Sequence, residues 1–193
     1  MLVHRPNLMD EIEMAIAEID GNRFTKISKA KPTFGKILYD QKALNREFEC
    51  ILFPQGWQSV TTPYYVTDDI STAREIANIR DKEEQRAIIL QRGYTPYRTN
   101  NQVDFVKDRV AVEVQFGKYF SVAYDLHVKH TFFFLRNDID VGIEIIPTRD
   151  MCVKMDTGVA WFENEVANVI REGRSNPTVP IVMIGIEPET IAI

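Results

Sequence analysis

A mixed α/β fold, with helices flanking a central β-sheet, is the class this sequence predicts, on three observations. Residues 102–106 and 110–116 are β-rich runs separated by Lys107-Asp108-Arg109, the pattern of a hairpin. Residues 181–186 form a near-continuous apolar run, as a strand buried on both faces would. Around these runs lie segments whose apolar residues recur at helical spacing. Sheets and helices in one chain bury their apolar faces by stacking in layers.

In chain order, residues 7–20 place Leu8, Ile12, Ala15, Ile16 and Ile19 on one helical face, with Gly21 as a stop. The next stretch, to Tyr39, contains no acid but carries Arg23, Lys26, Lys29, Lys31 and Lys36. Residues 43–53 read as a helix ended by Pro54, residues 64–67 as a short strand, and residues 71–92 as helical up to the breakers Gly93 and Pro96. Beyond the hairpin, residues 119–135 form a helix that is apolar on nearly every face. Residues 139–146 are a strand stopped by Pro147. Residues 158–171 are an amphipathic helix with Val159, Phe162, Val166, Val169 and Ile170 on one side. No internal repeat or Gly/Ser linker divides the chain, so residues 1–193 are expected to form a single domain.

Composition narrows the function classes. The chain has 193 residues, 45% hydrophobic and 26% charged, which excludes disorder and low complexity. A net charge of −5 excludes a histone-like polycation but leaves open DNA binding through a local basic surface. The acidity is C-terminal: residues 137–193 hold 10 acids and 4 bases, residues 1–136 hold 18 and 19. Cys50 and Cys152 are too few and too far apart for a disulfide framework or a zinc site, and are expected to be free, buried thiols. The first residues lack the apolar core of a signal peptide, and the apolar run 181–184 falls far short of the roughly 18 residues of a membrane span. The expectation is a soluble cytoplasmic protein with no membrane partner.

The chemistry concentrates in the hairpin. Side chains alternate along a strand, so Glu113 and Gln115 point the same way, roughly 7 Å apart. Asp104, nine residues before Glu113, comes beside it once the hairpin closes. Two close carboxylates repel unless a proton or cation lies between them. Hard oxygen ligands with an amide suit Mg²⁺, which lowers the pKa of a bound water and stabilises charge on a scissile phosphate. The same three residues are also ordinary on an exposed hairpin face, and spacing alone leaves both readings standing. His127 and His130, at i,i+3 with no third ligand near, read as packing or interface residues.

The run 101–119, Asn-Gln-Val-Asp-Phe-Val-Lys-Asp-Arg-Val-Ala-Val-Glu-Val-Gln-Phe-Gly-Lys-Tyr, continuing to Ala123-Tyr-Asp-Leu126, resembles the catalytic core of the BstYI-type restriction endonucleases, relatives of BglII and BamHI. The similarity runs on through residues 139–147, 169–174 and 184–186, and back to 37–39 and 64–67. It implies a prokaryotic nuclease of the PD-(D/E)xK fold in which Gln replaces the final Lys. Asp104, Glu113 and Gln115 match the motif, while the Pro that usually precedes the first Asp is replaced by Val103.

By the same resemblance, Asp104 and the Val114 carbonyl hold Mg²⁺, with Glu113 a direct or water-mediated ligand and Mn²⁺ as a substitute. Gln115, whose amide does not titrate, orients the attacking water. Glu84 is a candidate counterpart for a further acid on the helix before the hairpin. Base-reading positions correspond to Gly117-Lys118-Tyr119 and Asp156-Thr157-Gly158, both expected to precede helices, with Lys118 and Thr157 as major-groove donors. Lys29 and Lys31 would contact phosphates from a DNA-clasping N-terminal part, residues 1–99, ahead of a catalytic core over 100–186.

The implied activity is that of a type II restriction endonuclease. It would cut duplex DNA at a GATC-centred palindrome, purine-GATC-pyrimidine, and leave four-base 5′ overhangs. A two-fold target implies a homodimer, through the helices near 119–135 and 158–172. Phe120, Val122, Leu126, Phe132, Phe133 and Phe134 cannot all face one core, unless the helix lies buried at the centre of a monomer. The rival functions are a repair or recombination nuclease on the same fold, and a DNA-binding module without catalysis.

Overall fold

Helix α1 (Pro6–Glu18) opens with Pro6 in its first turn, where a missing N–H costs nothing, and buries Leu8, Ile12 and Ala15. The computed structural model describes residues 5–173 and 177–188; Arg174 of the similarity lies outside them. Strands β1 (Thr25–Ile27) and β2 (Ile37–Tyr39) pair as a small antiparallel ribbon, and α2 (Gln41–Leu52) follows, capped by Asp40 and burying Leu44, Phe48 and Leu52. Cys50 lies on the outward side of α2 and is exposed, and Cys152 is half-buried, so the expectation of two buried thiols is corrected.

Strand β3 (Gln58–Val66) is longer than the short strand expected. It is an outer strand of the sheet, where Pro63 is tolerated because its missing N–H breaks no essential ladder bond. The helical stretch expected over 71–92 is two helices, α3 (Ile70–Ile76) and α4 (Lys82–Gln91), capped by Asp69 and Asp81. The buried Gln85 explains the break: its amide donates to the Ile79 carbonyl and accepts from Tyr65 N–H, tying the interruption to β3.

Strands β4 (Tyr97–Lys107) and β5 (Val110–Val114) meet at a two-residue turn in which Asp108 and Arg109 have φ of 45° and 67°. That turn geometry matches the twist of antiparallel strands. Arg109 is fastened by hydrogen bonds to Asn137 and Asp140. The helical segment after β5 consists of α5 (Phe120–Tyr124), a π-helical stretch (Asp125–Lys129) and α6 (His130–Leu135). Then come β6 (Val141–Pro147), the short α7 (Arg149–Cys152), α8 (Phe162–Glu172) and β7 (Ile181–Ile186).

The five-stranded sheet runs β3-β4-β5-β6-β7, antiparallel as far as β5 and parallel from β5 to β7. One face, with Val110, Val112, Val114, Val141, Ile143 and Ile145, packs on α1 and α2 in the main core. The other face packs Ala111 with Phe133 and Ile139, and Ile146 with Val122 and Leu126. Residues of α1 and α2 therefore share one core with the β4–β5 hairpin.

Two expectations are corrected. Strand β7 is half-buried along its length, not enclosed on both faces, because it ends the sheet among the described residues. The amphipathic helix begins at Phe162, not at 158. Gly158 has φ of 85°, its carbonyl accepts from Tyr119 N–H, and Val159 pairs with Lys118 as an isolated bridge. Those bonds hold Gly158 in a turn and Val159 in the bridge, and Val159 joins the main core instead of the α8 face. The segment 156–158 thus does not abut a helix start.

Candidate active site

The turn register Phe105 to Val112 places Asp104 and Glu113 together at the far end of the hairpin. Asp104 is half-buried, and its Oδ2 accepts from Val114 N–H at 3.2 Å. Glu113 is only 1% exposed, on the sheet face turned toward the α5–α6 segment. Glu144 pairs with Glu113 across the β5–β6 ladder and is fully buried on the same face. The structure thus brings Asp104, Glu113 and Gln115 into one neighbourhood.

Three further residues complete that neighbourhood. Lys129 Nζ donates to Glu113 Oε1 at 2.8 Å and lies 2.7 Å from Asp125 Oδ1. Asp125 Oδ2 accepts from Gln115 Nε2 at 2.7 Å, and Gln115 Oε1 accepts from Gly117 N–H at 2.9 Å. Behind them, His130 Nε2 and Glu144 Oε1 are 2.9 Å apart, while His130 Nδ1 and Glu144 Oε2 have no partner. Sequence reading missed Asp125, Lys129 and Glu144. The available signals were an Asp–Lys pair at i,i+4 inside an apolar helix and one Glu in an otherwise apolar strand.

Burial and the charge of Asp104 push the Glu113 carboxyl well above its ordinary pKa, and Lys129 only partly opposes this. Burial also raises Asp125, against the pull of Lys129 and Gln115. Burial works against the Lys129 charge, yet Glu113 and Asp125 raise its pKa above the usual lysine value. Glu144 is raised well above the carboxylate range by burial and by Asp125 and Glu113. Burial holds His130 down at about 3. Burial thus disfavours the charged form of both partners, which share one hydrogen bond between His130 Nε2 and Glu144 Oε1.

Among the described residues, no group of three or more His, Cys, Asp and Glu side chains is placed to hold a metal alone. A cation here would rest on Asp104, Glu113 and a backbone carbonyl, completed by water and phosphate, the donor set Mg²⁺ prefers. The excess of carboxyl groups over Lys129 fits such a cation, because it would relieve the repulsion that raises Glu113.

Beside Gln115 lies a cleft of about 360 Å³ lined by Gln41, Lys42, Asn45, Gln115, Gly117, Lys118, Asp156 and Thr157, among others. Both segments expected to read bases therefore open onto one space that Gln115 also lines. Lys26 braces its wall, donating to Asp156 Oδ2 at 2.8 Å and to Gln41 Oε1 at 3.3 Å. Gly158 is exposed at its edge, while Lys29 and Lys31 are exposed on the β1–β2 connection, outside the cleft lining. Glu84 is exposed in the first turn of α4, and no hydrogen bond or ion pair among the described residues joins it to the cluster. His127 pairs with Glu172 at 3.0 Å, so the two histidines of this helix have separate carboxylate partners.

A search of the curated proteins finds no match. Among solved structures, the chain is similar to restriction endonuclease BglII complexed with a DNA 16-mer, at 18% identity and a TM-score of 0.67, over 97% of this chain and 73% of that one. It is also similar to free BglII, at 16% identity and a TM-score of 0.58, over 97% and 74% of the two chains. These likenesses establish the restriction-endonuclease fold. The family model for restriction endonuclease BglII/BglIII matches residues 1–186. The chain therefore belongs to the BglII/BglIII restriction endonuclease family, and its activity class is that of a type II site-specific deoxyribonuclease.

Proposed function

We propose that this enzyme cuts duplex DNA at purine-GATC-pyrimidine, between the outer purine and the G, leaving four-base 5′ overhangs, as a Mg²⁺-dependent homodimer. The observation that carries the catalytic part is the gathering of Asp104, Glu113 and Gln115 around Asp125 and Lys129, with Gln115 also lining the cleft. The target sequence rests on the similarity of residues 101–126 to the BstYI-type enzymes, and the DNA partner is supported by BglII having been solved on a DNA 16-mer.

Asp104, Glu113 and the Val114 carbonyl would hold Mg²⁺. When bound, the ion supplies charge stabilisation at the scissile phosphate and a more acidic water. Gln115 is fixed at both ends of its amide, by Asp125 and Gly117 N–H. Its second N–H is left to orient the attacking water, and it carries no proton itself. Lys118, Thr157, Asp156 and Gly158 face or border the groove where base edges would lie, and Lys29 and Lys31 contact flanking phosphates. The dimer is supported by exposed apolar residues on the two elements expected to form it: Phe120 at 58%, Leu135 at 71% and Ile170 at 73%.

Digesting phage DNA of known sequence with Mg²⁺ and reading the fragment ends tests the whole proposal. Discrete fragments ending in 5′-GATC are expected, and a smear would reject site-specific cutting. Asp104→Asn and Glu113→Gln are each expected to lower the cleavage rate by about 10³-fold or more. Wild-type rates in either variant would reject the site assignment.

A further inference from the structure

Asp104, Glu113, Asp125 and Glu144 all act on one another through the space behind the β4–β5 hairpin, and Lys129 is the one cation that counters them among the described residues. Its side chain is only 16% exposed, with Nζ 2.8 Å from Glu113 and 2.7 Å from Asp125. Asp125 is in turn the anchor of Gln115. A single ammonium therefore links a metal-ligand candidate to the residue that fixes the water-orienting amide.

The π-helical stretch accounts for this placement. Val122 upstream of it and Leu126 within it pack toward Ile146 and Ala160; downstream, Phe133 packs toward Val103, Ala111 and Ile139. One extra residue in a turn rotates the helix face by roughly 100°, so both packing faces are kept while Asp125 and Lys129 point at the sheet.

We propose that Lys129 is a resident counter-cation: it holds Glu113 and Asp125 together in the metal-free enzyme and competes with a divalent cation for Glu113. It is a positioning residue, and it makes metal binding to the DNA-free protein weak. Two cations on one buried carboxylate repel strongly, so the metal gains Glu113 only as Lys129 gives it up. This inference rests on the proposal that Asp104 and Glu113 hold the metal.

Calcium binding to the protein of residues 1–193, measured by titration calorimetry at pH 8 without DNA, tests it. Lys129→Met is expected to bind Ca²⁺ about tenfold tighter than wild type and to gain more in Tm from Ca²⁺. Lys129→Arg should stay within about threefold of wild type, because it keeps the charge. Equal or weaker binding in Lys129→Met overturns the proposal. If Lys129→Met does not fold, Asp125→Asn with Lys129→Met removes the buried pair together and should show the same tightening; its absence again overturns the proposal. Asp104→Asn separates the two readings. Unchanged Ca²⁺ binding there rejects the metal site, and the competition with it. Lost binding there, with no tightening in Lys129→Met, rejects the role of Lys129 alone.

Discussion

The His130–Glu144 pair is fully buried, each partner keeps one unpaired polar atom, and neither ionises readily in the folded protein. The consequence for stability can be signed. His130 has a folded pKa of about 3 against an ordinary value of 6.5, so between those values the unfolded chain binds the extra proton. Its contribution to stability is complete above pH 6.5 and is lost as pH falls toward 3, at about 1 kcal/mol per pH unit. Glu144 has the opposite sign. Its folded pKa is raised above 4.5, so its contribution is present below that value and is lost as pH rises through the folded one. Urea unfolding of wild type and His130→Phe at pH 7, 6 and 5 checks the first statement: the variant should show the shallower loss of stability.

Gly142 shows how closely the elements are fitted. A Cβ there would lie 2.6 Å from Ile181 Cδ1 and 2.7 Å from His130 Nδ1, inside contact distance of both β7 and α6. Gly142→Ala should cost about 1–3 kcal/mol, seen as a lower Tm, because the fully buried His130 ring would have to give way. The elements most legible in the sequence were those with a clean period: α1, α2 and the hairpin itself. The start of α8 was not legible, because the Lys118–Val159 bridge that keeps Val159 out of the helix joins distant segments. The π-helical stretch was equally hidden. Val122 before it and Leu126 within it pack on one part of the sheet, Phe133 after it packs on another, and a local pattern does not encode that.

For the whole molecule, Asp104, Glu113 and Gln115 were legible because a two-residue periodicity and a hairpin suffice to bring them together. Asp125, Lys129 and Glu144 were not, since their convergence depends on how the helix after β5 lies on the β5–β6 ladder. The exposed Phe120, Tyr124, Val128 and Leu135 belong to the same helical segment, whose other side carries Lys129. If that apolar side is the dimer contact, dimerisation buttresses the catalytic face directly. Sedimentation equilibrium should return twice the monomer mass for the wild type. Phe120→Glu should shift it toward monomer and reduce two-strand cutting of plasmid more than it reduces nicking. A dimer unaffected by the charge would place the contact elsewhere.

The turn at Asp108 and Arg109 has a bearing on how this enzyme can change over generations. Adding or deleting one residue there would slide β5 by half its repeat, turning a valine toward Lys129 and Asp125 and Glu113 into the main core. Drift in the identity of those two residues is tolerable wherever the positive φ is kept, but drift in their number is not. Length variation among descendants of this chain should therefore accumulate in its other connections and leave this one fixed at two residues.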